Sequence, residues 1–177
     1  MTTTLNTNNN KTFGKSSSNV PYVVETYQDL LKNRIVGDCP NGVIYCEPRW
    51  LIFSSSDSYK KPCYGEFTIT NSDPFTVAWC IKTKDKLMRL SQSHGVLKAG
   101  ERVRLTIFIT SSDDWPRDVT EYTGRRIMLI VENLRIPDFI RPKSKEESKR
   151  MSRDIFHYSA TNNPLLRMYT KVNLILQ

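Results

Sequence analysis

Three short hydrophobic runs in the middle of the chain constrain its fold more than any other feature. Residues 67–70 (FTIT) alternate apolar and polar side chains, and residues 103–109 (VRLTIFI) repeat that alternation. Between them, residues 77–81 (VAWCI) are apolar throughout, as in a strand that is covered on both faces. The turn-forming sequences NSDP at 71–74 and KAG at 98–100 separate these runs. The pattern therefore predicts an antiparallel β unit.

The other hydrophobic runs extend this unit into a complete domain. Residues 43–45 and 50–53 are strand-like and are split by Glu47-Pro48, where proline removes a hydrogen-bond donor, as at an edge strand that switches sheets. Further strands are predicted at 126–131 and 170–176. About seven strands with little helix, in 177 residues, predict a single all-β sandwich domain.

The sequence divides into a tail, an extension and this domain. Residues 1–19 are nearly all Thr, Asn, Ser and Lys, so we predict a disordered tail that cannot offset its ordering entropy by burial. Residues 20–42 form an N-terminal extension, in which the apolar spacing predicts a short helix over 23–35 that docks on the domain or binds a partner. Residues 43–177 are assigned to the β-sandwich. Within it, residues 141–154 carry dense charge of both signs and are expected to be a solvated linker or helix.

The composition predicts a cytoplasmic protein with acidic partners. The net charge of +8 indicates attraction to nucleic acid, an anionic membrane surface or an acidic protein segment. No apolar run of membrane-spanning length and no apolar N-terminal segment occurs, so neither an integral membrane segment nor a secretory signal is expected. The four cysteines lack CxxC spacing and are expected to be reduced thiols. They are Cys39, Cys46, Cys63 and Cys80.

Signatures of catalysis are missing from the sequence. It contains no glycine-rich phosphate loop and no GxSxG turn, and His94 and His157 are too few and too far apart to suggest a metal site. The adjacent pair Asp113 and Asp114 is more typical of a turn than of an acid/base couple, and His94 before a glycine suggests a surface turn. We therefore predict a non-enzymatic protein without metal or cofactor.

The tryptophans argue against nucleic acid as the partner. Trp50, Trp79 and Trp115 are scattered and are more typical of core and loop packing than of a platform for stacked bases. Nucleic-acid binding would then rest on charge alone, and it would show a steep dependence on salt.

Basic residues collect at the ends of predicted strands. Were these strands neighbours, the cations would form a basic face beside Met128, suited to an extended acidic peptide with an apolar anchor. The alternative is a set of unrelated surface charges. The residues concerned are Lys82, Lys84, Lys86, Arg125, Arg126 and Lys171.

Several short motifs, in order, resemble those of the major sperm protein (MSP) domain family, which includes nematode major sperm protein and the VAMP-associated proteins. They are CEP at 46–48 with Leu51 and Phe53, ITNSD at 69–73, WCIKT at 79–83, HGVLKAG at 94–100, DWP at 114–116 and the strand around Lys171. The resemblance covers residues 43–177. It implies an immunoglobulin-like, seven-stranded β-sandwich.

The resemblance also implies a binding site. VAMP-associated proteins bind acidic segments with an embedded aromatic pair, called FFAT motifs, through a basic groove. By similarity, Lys82, Thr83, Met128 and Lys171 match residues of that groove, and Arg126 stands where the family has lysine. Lys84 replaces a second threonine and joins the expected peptide-binding set. The function implied is an adaptor for FFAT-like segments of a protein partner.

Nematode major sperm protein supplies the alternative function. The family's sperm members form a cytoskeleton, so the resemblance equally allows a domain that dimerises and assembles into filaments through strand edges and loops. The adaptor interpretation predicts a peptide-binding monomer, whereas the cytoskeletal interpretation predicts homo-oligomers whose mass rises with concentration.

Overall fold

The computed structural model describes residues 39–138, 140–162 and 167–177, and this part of the chain forms nine strands and one long helix. The strands are β1 (Tyr45–Glu47), β2 (Trp50–Phe53), β3 (Cys63–Thr70), β4 (Val77–Thr83), β5 (Met88–Leu90), β6 (His94–Leu97), β7 (Arg102–Ile109), β8 (Arg126–Arg135) and β9 (Met168–Leu176). Helix α1 (Lys145–Asn162) lies between β8 and β9, and two single 3-10 turns, Ser112–Asp114 and Val119–Glu121, lie between β7 and β8. The predicted tail at 1–19 and helix at 23–35 lie outside the described residues.

The strands form two sheets. One has the order β1-β3-β7-β5 and is antiparallel, and the other has the order β2-β9-β8-β4-β6 with a parallel β2–β9 pair. Because β1 and β2 belong to different sheets, the chain changes sheets at Glu47-Pro48, as the sequence predicts. The Glu47-Pro48 peptide bond is cis. The predicted all-β, immunoglobulin-like sandwich is confirmed.

Two of the nine strands are absent from the sequence prediction. Strands β5 and β6 are only three and four residues long and lie in the connection after β4 that the sequence presents as polar. Runs this short carry too few side chains to show an alternating pattern. The predicted turn after β6 is confirmed, because Gly100 adopts a φ of 72°, which favours glycine.

The core between the sheets is built on strand β4. Trp79 is 1% exposed and packs among the inward side chains of both sheets, including Phe67 and Leu129. Its indole lies against Gly95 of β6, where an added Cβ would come within 2.7 Å of Trp79 Cζ2. Glycine at this position therefore leaves the space that the indole ring fills.

Helix α1 covers the outer face of β4 and corrects the prediction of a solvated segment. Met151, Ile155 and Phe156 are buried and form a second apolar cluster with Ala78 and Cys80 of β4. Ile155 and Phe156 follow the charged stretch 141–154. The sequence of that stretch alone therefore does not show the full apolar side of the helix. The prediction that β4 is covered on both faces is confirmed, and α1 supplies one of the covers.

Two serines anchor α1 to the sheet. Ser152 is fully buried, and its Oγ donates a hydrogen bond of 2.6 Å to the carbonyl oxygen of Trp79. Ser148 Oγ accepts a hydrogen bond of 2.8 Å from the backbone N–H of Val96 in β6. The helix therefore satisfies backbone groups of the sheet as well as burying apolar surface.

Replacing Ser152 with Ala is expected to lower the free energy of unfolding by about 1–3 kcal/mol, since the buried carbonyl of Trp79 loses this donor. Urea denaturation measures the change. Arg150 is exposed on the same helix, and Arg150→Ala should stay within about 0.5 kcal/mol of the unaltered protein. Equal stability of the two variants would show that the Ser152 bond does not contribute.

Candidate functional site

The outer face of the five-stranded sheet is divided between α1 and an open groove. Side chains alternate along β8, so Arg126, Met128, Ile130 and Glu132 share this outer face. Leu134, farther along β8, is buried under α1. The helix thus covers one end of the sheet and leaves the other end accessible.

Strand register aligns the predicted site residues across this open end. Lys82 of β4 is directly opposite Ile130 of β8, which in turn is opposite Lys171 of β9. Met128 is two residues before Ile130 on the same face of β8, and it is opposite Asn173 of β9. Two lysines that lie 89 positions apart in the sequence therefore flank the same isoleucine.

All six residues predicted from the sequence line one open groove of about 830 Å³, called the basic groove below. It carries five cationic side chains, one carboxylate and the hydrocarbon surface of Met128, Ile130 and Tyr169. Its lining is Lys82, Thr83, Lys84, Asp85, Arg125, Arg126, Met128, Ile130, Tyr169 and Lys171. A groove with these walls suits a segment that has both carboxylates and a bulky apolar side chain.

Local contacts order parts of the basic groove. The Arg126 guanidinium lies over Met128, with Nη2 3.4 Å from Sδ, so a charged head borders the apolar surface. Thr83 Oγ1 accepts a hydrogen bond of 3.2 Å from the backbone N–H of Asp85, which fixes the turn that presents Lys84.

Glu132 forms an ionic contact between the basic groove and α1. Its carboxylate is 2.9 Å from Lys82 Nζ and 3.2 Å from Arg167 Nη1, and Arg167 Nη2 donates to Ser159 Oγ of the helix at 3.0 Å. Burial raises the pKa of Glu132, but hydrogen bonds and charges from Lys82 and Arg167 outweigh it, so the pKa lies below its ordinary value. Glu132 is therefore ionised at neutral pH and holds Lys82 at the border of the groove.

Cys80 lies under the same carboxylate. Its Sγ is 3.7 Å from Glu132 Oε2. Burial, followed by the negative charge of Glu132, raises the pKa of Cys80 to about 12. The thiol stays protonated at neutral pH and serves as a packing group.

Replacing Glu132 with Gln is expected to lower the free energy of unfolding at neutral pH by about 1.5–3 kcal/mol, since two cations lose their carboxylate partner. A carboxyl with a lowered folded-state pKa stabilises the fold above its unfolded pKa, and this contribution disappears as the pH falls through the folded value. The difference between the variant and the unaltered protein should therefore shrink below about pH 4.

Denaturant unfolding at neutral and acidic pH measures this difference. Glu66→Gln is the control, because Glu66 forms an exposed pair with Arg104 at 3.7 Å that is expected to contribute at most about 1 kcal/mol. An equal loss in the two variants, or a loss from Glu132→Gln that does not depend on pH, would contradict the assigned role of Glu132.

Other residues singled out in the sequence lie away from the basic groove. Lys86 lines a neighbouring depression with Arg117. Asp113 and Asp114 are exposed in a 3-10 turn, where Ser111 Oγ accepts a hydrogen bond from the backbone N–H of Asp113. The prediction that His94 lies in a surface turn is wrong, because His94 begins β6 and is half-buried. Burial, followed by the charge of Arg153, lowers the pKa of His94.

The three tryptophans have different environments. Trp79 is core, and Trp115 is 8% exposed and packs between the rings of Tyr59 and Tyr122 at centroid distances of 5.5 and 5.3 Å. Trp50 departs from the packing role predicted for the tryptophans, since it is 52% exposed on edge strand β2.

Sequence reasoning missed several residues at this site. Ile130 and Glu132 could have been found, because the alternation that selects Arg126 and Met128 places them on the same face of β8. Tyr169 could have been found in the same way, because it is two residues before Lys171 and shares its face of β9. Arg167 becomes a neighbour of the groove only through its contacts with Glu132 and α1, which no sequence pattern indicates.

The described residues include neither a membrane-spanning helix nor a cluster of metal ligands. None of the helices in the described part has the length and apolar character needed to cross a bilayer. Among the same residues, no three His, Cys, Asp or Glu side chains gather where they could hold a metal ion. The four cysteines are unpaired.

Comparison with known proteins rests on three-dimensional structure. No protein-family model and no curated protein sequence matches the chain. Among solved structures, WR4, an MSP family member of Caenorhabditis elegans, is 12% identical with a TM-score of 0.51, covering 77% of this chain and 100% of its own. SSP-19, an MSP-domain-like protein of the same nematode, is 10% identical with a TM-score of 0.48, covering 73% of this chain and 97% of its own.

A PapD-like domain of human CEP192 is also similar, at 10% identity and a TM-score of 0.48, covering 76% of this chain and 83% of that one. At 12% identity, the match to WR4 supports the fold alone. The likeness to WR4 extends over its whole length and agrees with the motifs between residues 46 and 116. The chain has the fold of the major sperm protein domain.

Proposed function

We propose that this chain is a non-enzymatic, cytoplasmic protein-interaction module whose basic groove binds an acidic, aromatic-containing segment of another protein. One observation carries the proposal. The six residues selected from the sequence come from three different strands, β4, β8 and β9, or their ends, and all six line a single groove. Unrelated surface charges would not be expected to converge in this way.

The chemistry of the basic groove favours an acidic ligand. Its five cations face one carboxylate, Asp85, so the local field attracts and orients negative charge. Ile130 lies between Lys82 and Lys171, and Met128 follows on the same face of β8, so the two offer a soft apolar surface on which an aromatic ring can pack. A segment with carboxylates on either side of aromatic residues, as in FFAT-like motifs, satisfies both features.

The assembly alternative has less support. All four edge strands, β1, β2, β5 and β6, are only three or four residues long, and short edges discourage strand-to-strand association. The fourth edge, β6, lies beside α1, and its Val96 N–H is already bonded to Ser148. Filament growth through β6 would require the helix to move.

Titration of a fluorescently labelled acidic peptide with two adjacent aromatic residues tests the proposal. Saturable binding at one peptide per chain is expected, weakening as salt is added. A peptide with the same aromatics but amides in place of its carboxylates should bind much more weakly. Equal binding of both peptides would contradict an electrostatic groove.

A further inference from the structure

Edge strand β2 exposes two large apolar side chains next to the basic groove. Trp50 is 52% exposed and Ile52 is 62% exposed, while Phe53 of the same strand is buried in the core. Their outward direction follows from the alternation of the strand. Such side chains on an edge strand, together on one face, indicate an interaction surface rather than scattered exposure.

Strand register makes this surface continuous with the basic groove. Trp50 is opposite Asn173 of β9, which is opposite Met128 of β8. These three residues form one row across the strands. In the adjacent row, Ile52 of β2 is opposite Ile175 of β9, which is opposite Arg126 of β8. Because neighbouring strands lie about 4.8 Å apart, the backbones at Met128 and Trp50 are about 10 Å apart on one face of the sheet.

The two rows change in character from the groove to the edge. At the β8 end they carry Met128 and the cation Arg126, whereas at the β2 end they carry only Trp50 and Ile52. One extended segment that lies across the strands would meet cations first and apolar surface afterwards. Since an extended chain advances about 3.3 Å per residue, the 10 Å between the two positions corresponds to about three or four residues, and the fourth shares the face of the first.

We propose that Trp50, Ile52 and Ile175 form a second, apolar subsite that binds a large apolar side chain of the same acidic segment, about three or four residues from the one packed on Met128. This inference rests on the proposed function and adds to it, because it specifies a feature of the partner. The partner's segment is acidic and aromatic where it contacts the basic groove and has a bulky apolar residue farther along.

Peptides of graded length test the subsite. The core peptide is the acidic peptide with two adjacent aromatics, and two longer peptides carry Leu three residues beyond the aromatics, on the N-terminal or the C-terminal side. Matching peptides with Ser in place of Leu are the reference. One of the Leu peptides should bind at least about tenfold more tightly than its Ser partner.

The variant Trp50→Ala should abolish this Leu preference and leave binding of the core peptide within about twofold of the unaltered protein. Tyr64→Ala is the matched control, since Tyr64 is an exposed aromatic on the opposite sheet at 74% exposure, and it should preserve the preference. A Leu preference that survives Trp50→Ala, or the absence of any Leu preference, would overturn the inference while core binding still supports the proposed function.

Two further outcomes would also overturn it. Dimerisation of the unaltered protein without peptide, lost in Trp50→Ala, would assign the β2 surface to a second copy of this chain. Failure of the core peptide to bind the unaltered protein would refute the proposed function and this inference together.

Discussion

Replacing Trp79 with Ala is expected to lower the free energy of unfolding by about 3–5 kcal/mol, a large share of the 5–15 kcal/mol typical of a whole domain. The indole is 1% exposed and fills the space above Gly95, so its removal leaves a cavity between rigid sheets. The backbone carbonyl that accepts the hydrogen bond from Ser152 of α1 is retained in alanine, so the loss measures the packing of the indole between the sheets. Guanidinium unfolding followed by circular dichroism measures the loss.

Trp79→Phe is the matched control for this variant. Among the described residues, Trp79 Nε1 is a buried polar atom with no hydrogen-bond partner. Phenylalanine removes that N–H and keeps most of the ring, so its cost should be clearly smaller than that of alanine. A loss below about 1 kcal/mol in Trp79→Ala would contradict the central packing role assigned to β4.

The double substitution of Lys82 and Met128 with Asp is expected to weaken binding of the acidic aromatic peptide by at least about a hundredfold, since like charges at an interface cost several kcal/mol. One change reverses a charge at the border of the basic groove, and the other places a carboxylate where the aromatic side chain packs. The variant loses the Lys82–Glu132 pair and should be less stable, but the Lys82 side chain is 52% exposed and Met128 is half-buried at the surface, so the fold should persist. Fluorescence anisotropy measures the affinity, and denaturation checks the fold.

A second double variant separates groove chemistry from total charge. Arg104 and Tyr64 are exposed on the opposite sheet, and replacing both with Asp changes the net charge by the same amount as the groove variant. Its peptide affinity should remain within a few-fold of the unaltered protein. Comparable losses in the two folded variants would mean that charge in general, and not the groove, attracts the peptide.

The fold could be predicted wherever side-chain periodicity is long enough to be visible. The apolar run 77–81 indicated a strand covered on both faces, and the structure confirms this. The same run does not show what covers the outer face. The cover is helix α1, whose centre near Asp154 lies 74 residues after Cys80. Strands β5 and β6 are too short for a periodic signal, and they depend on pairing with β7 and β4.

The candidate site could be predicted only in part for the same reason. Lys82, Thr83 and Lys84 are contiguous, and Arg126 and Met128 alternate on one strand, so each group is visible locally. The register that places Lys171 beside them is a long-range property, and the family resemblance was needed to bring the groups together. Trp50 was misjudged because burial of an aromatic residue on an edge strand depends on neighbours that the sequence does not identify.

Sedimentation velocity of the 177-residue chain, over a range of concentrations and with a labelled acidic peptide carrying two adjacent aromatics, tests the proposed function most directly. We expect a monomer at every concentration that carries the label with it, and a monomer that sediments without label when Lys82 and Met128 are changed to Asp. A mass that rises with concentration while the label stays unbound would contradict the adaptor function and support assembly through the sheet edges.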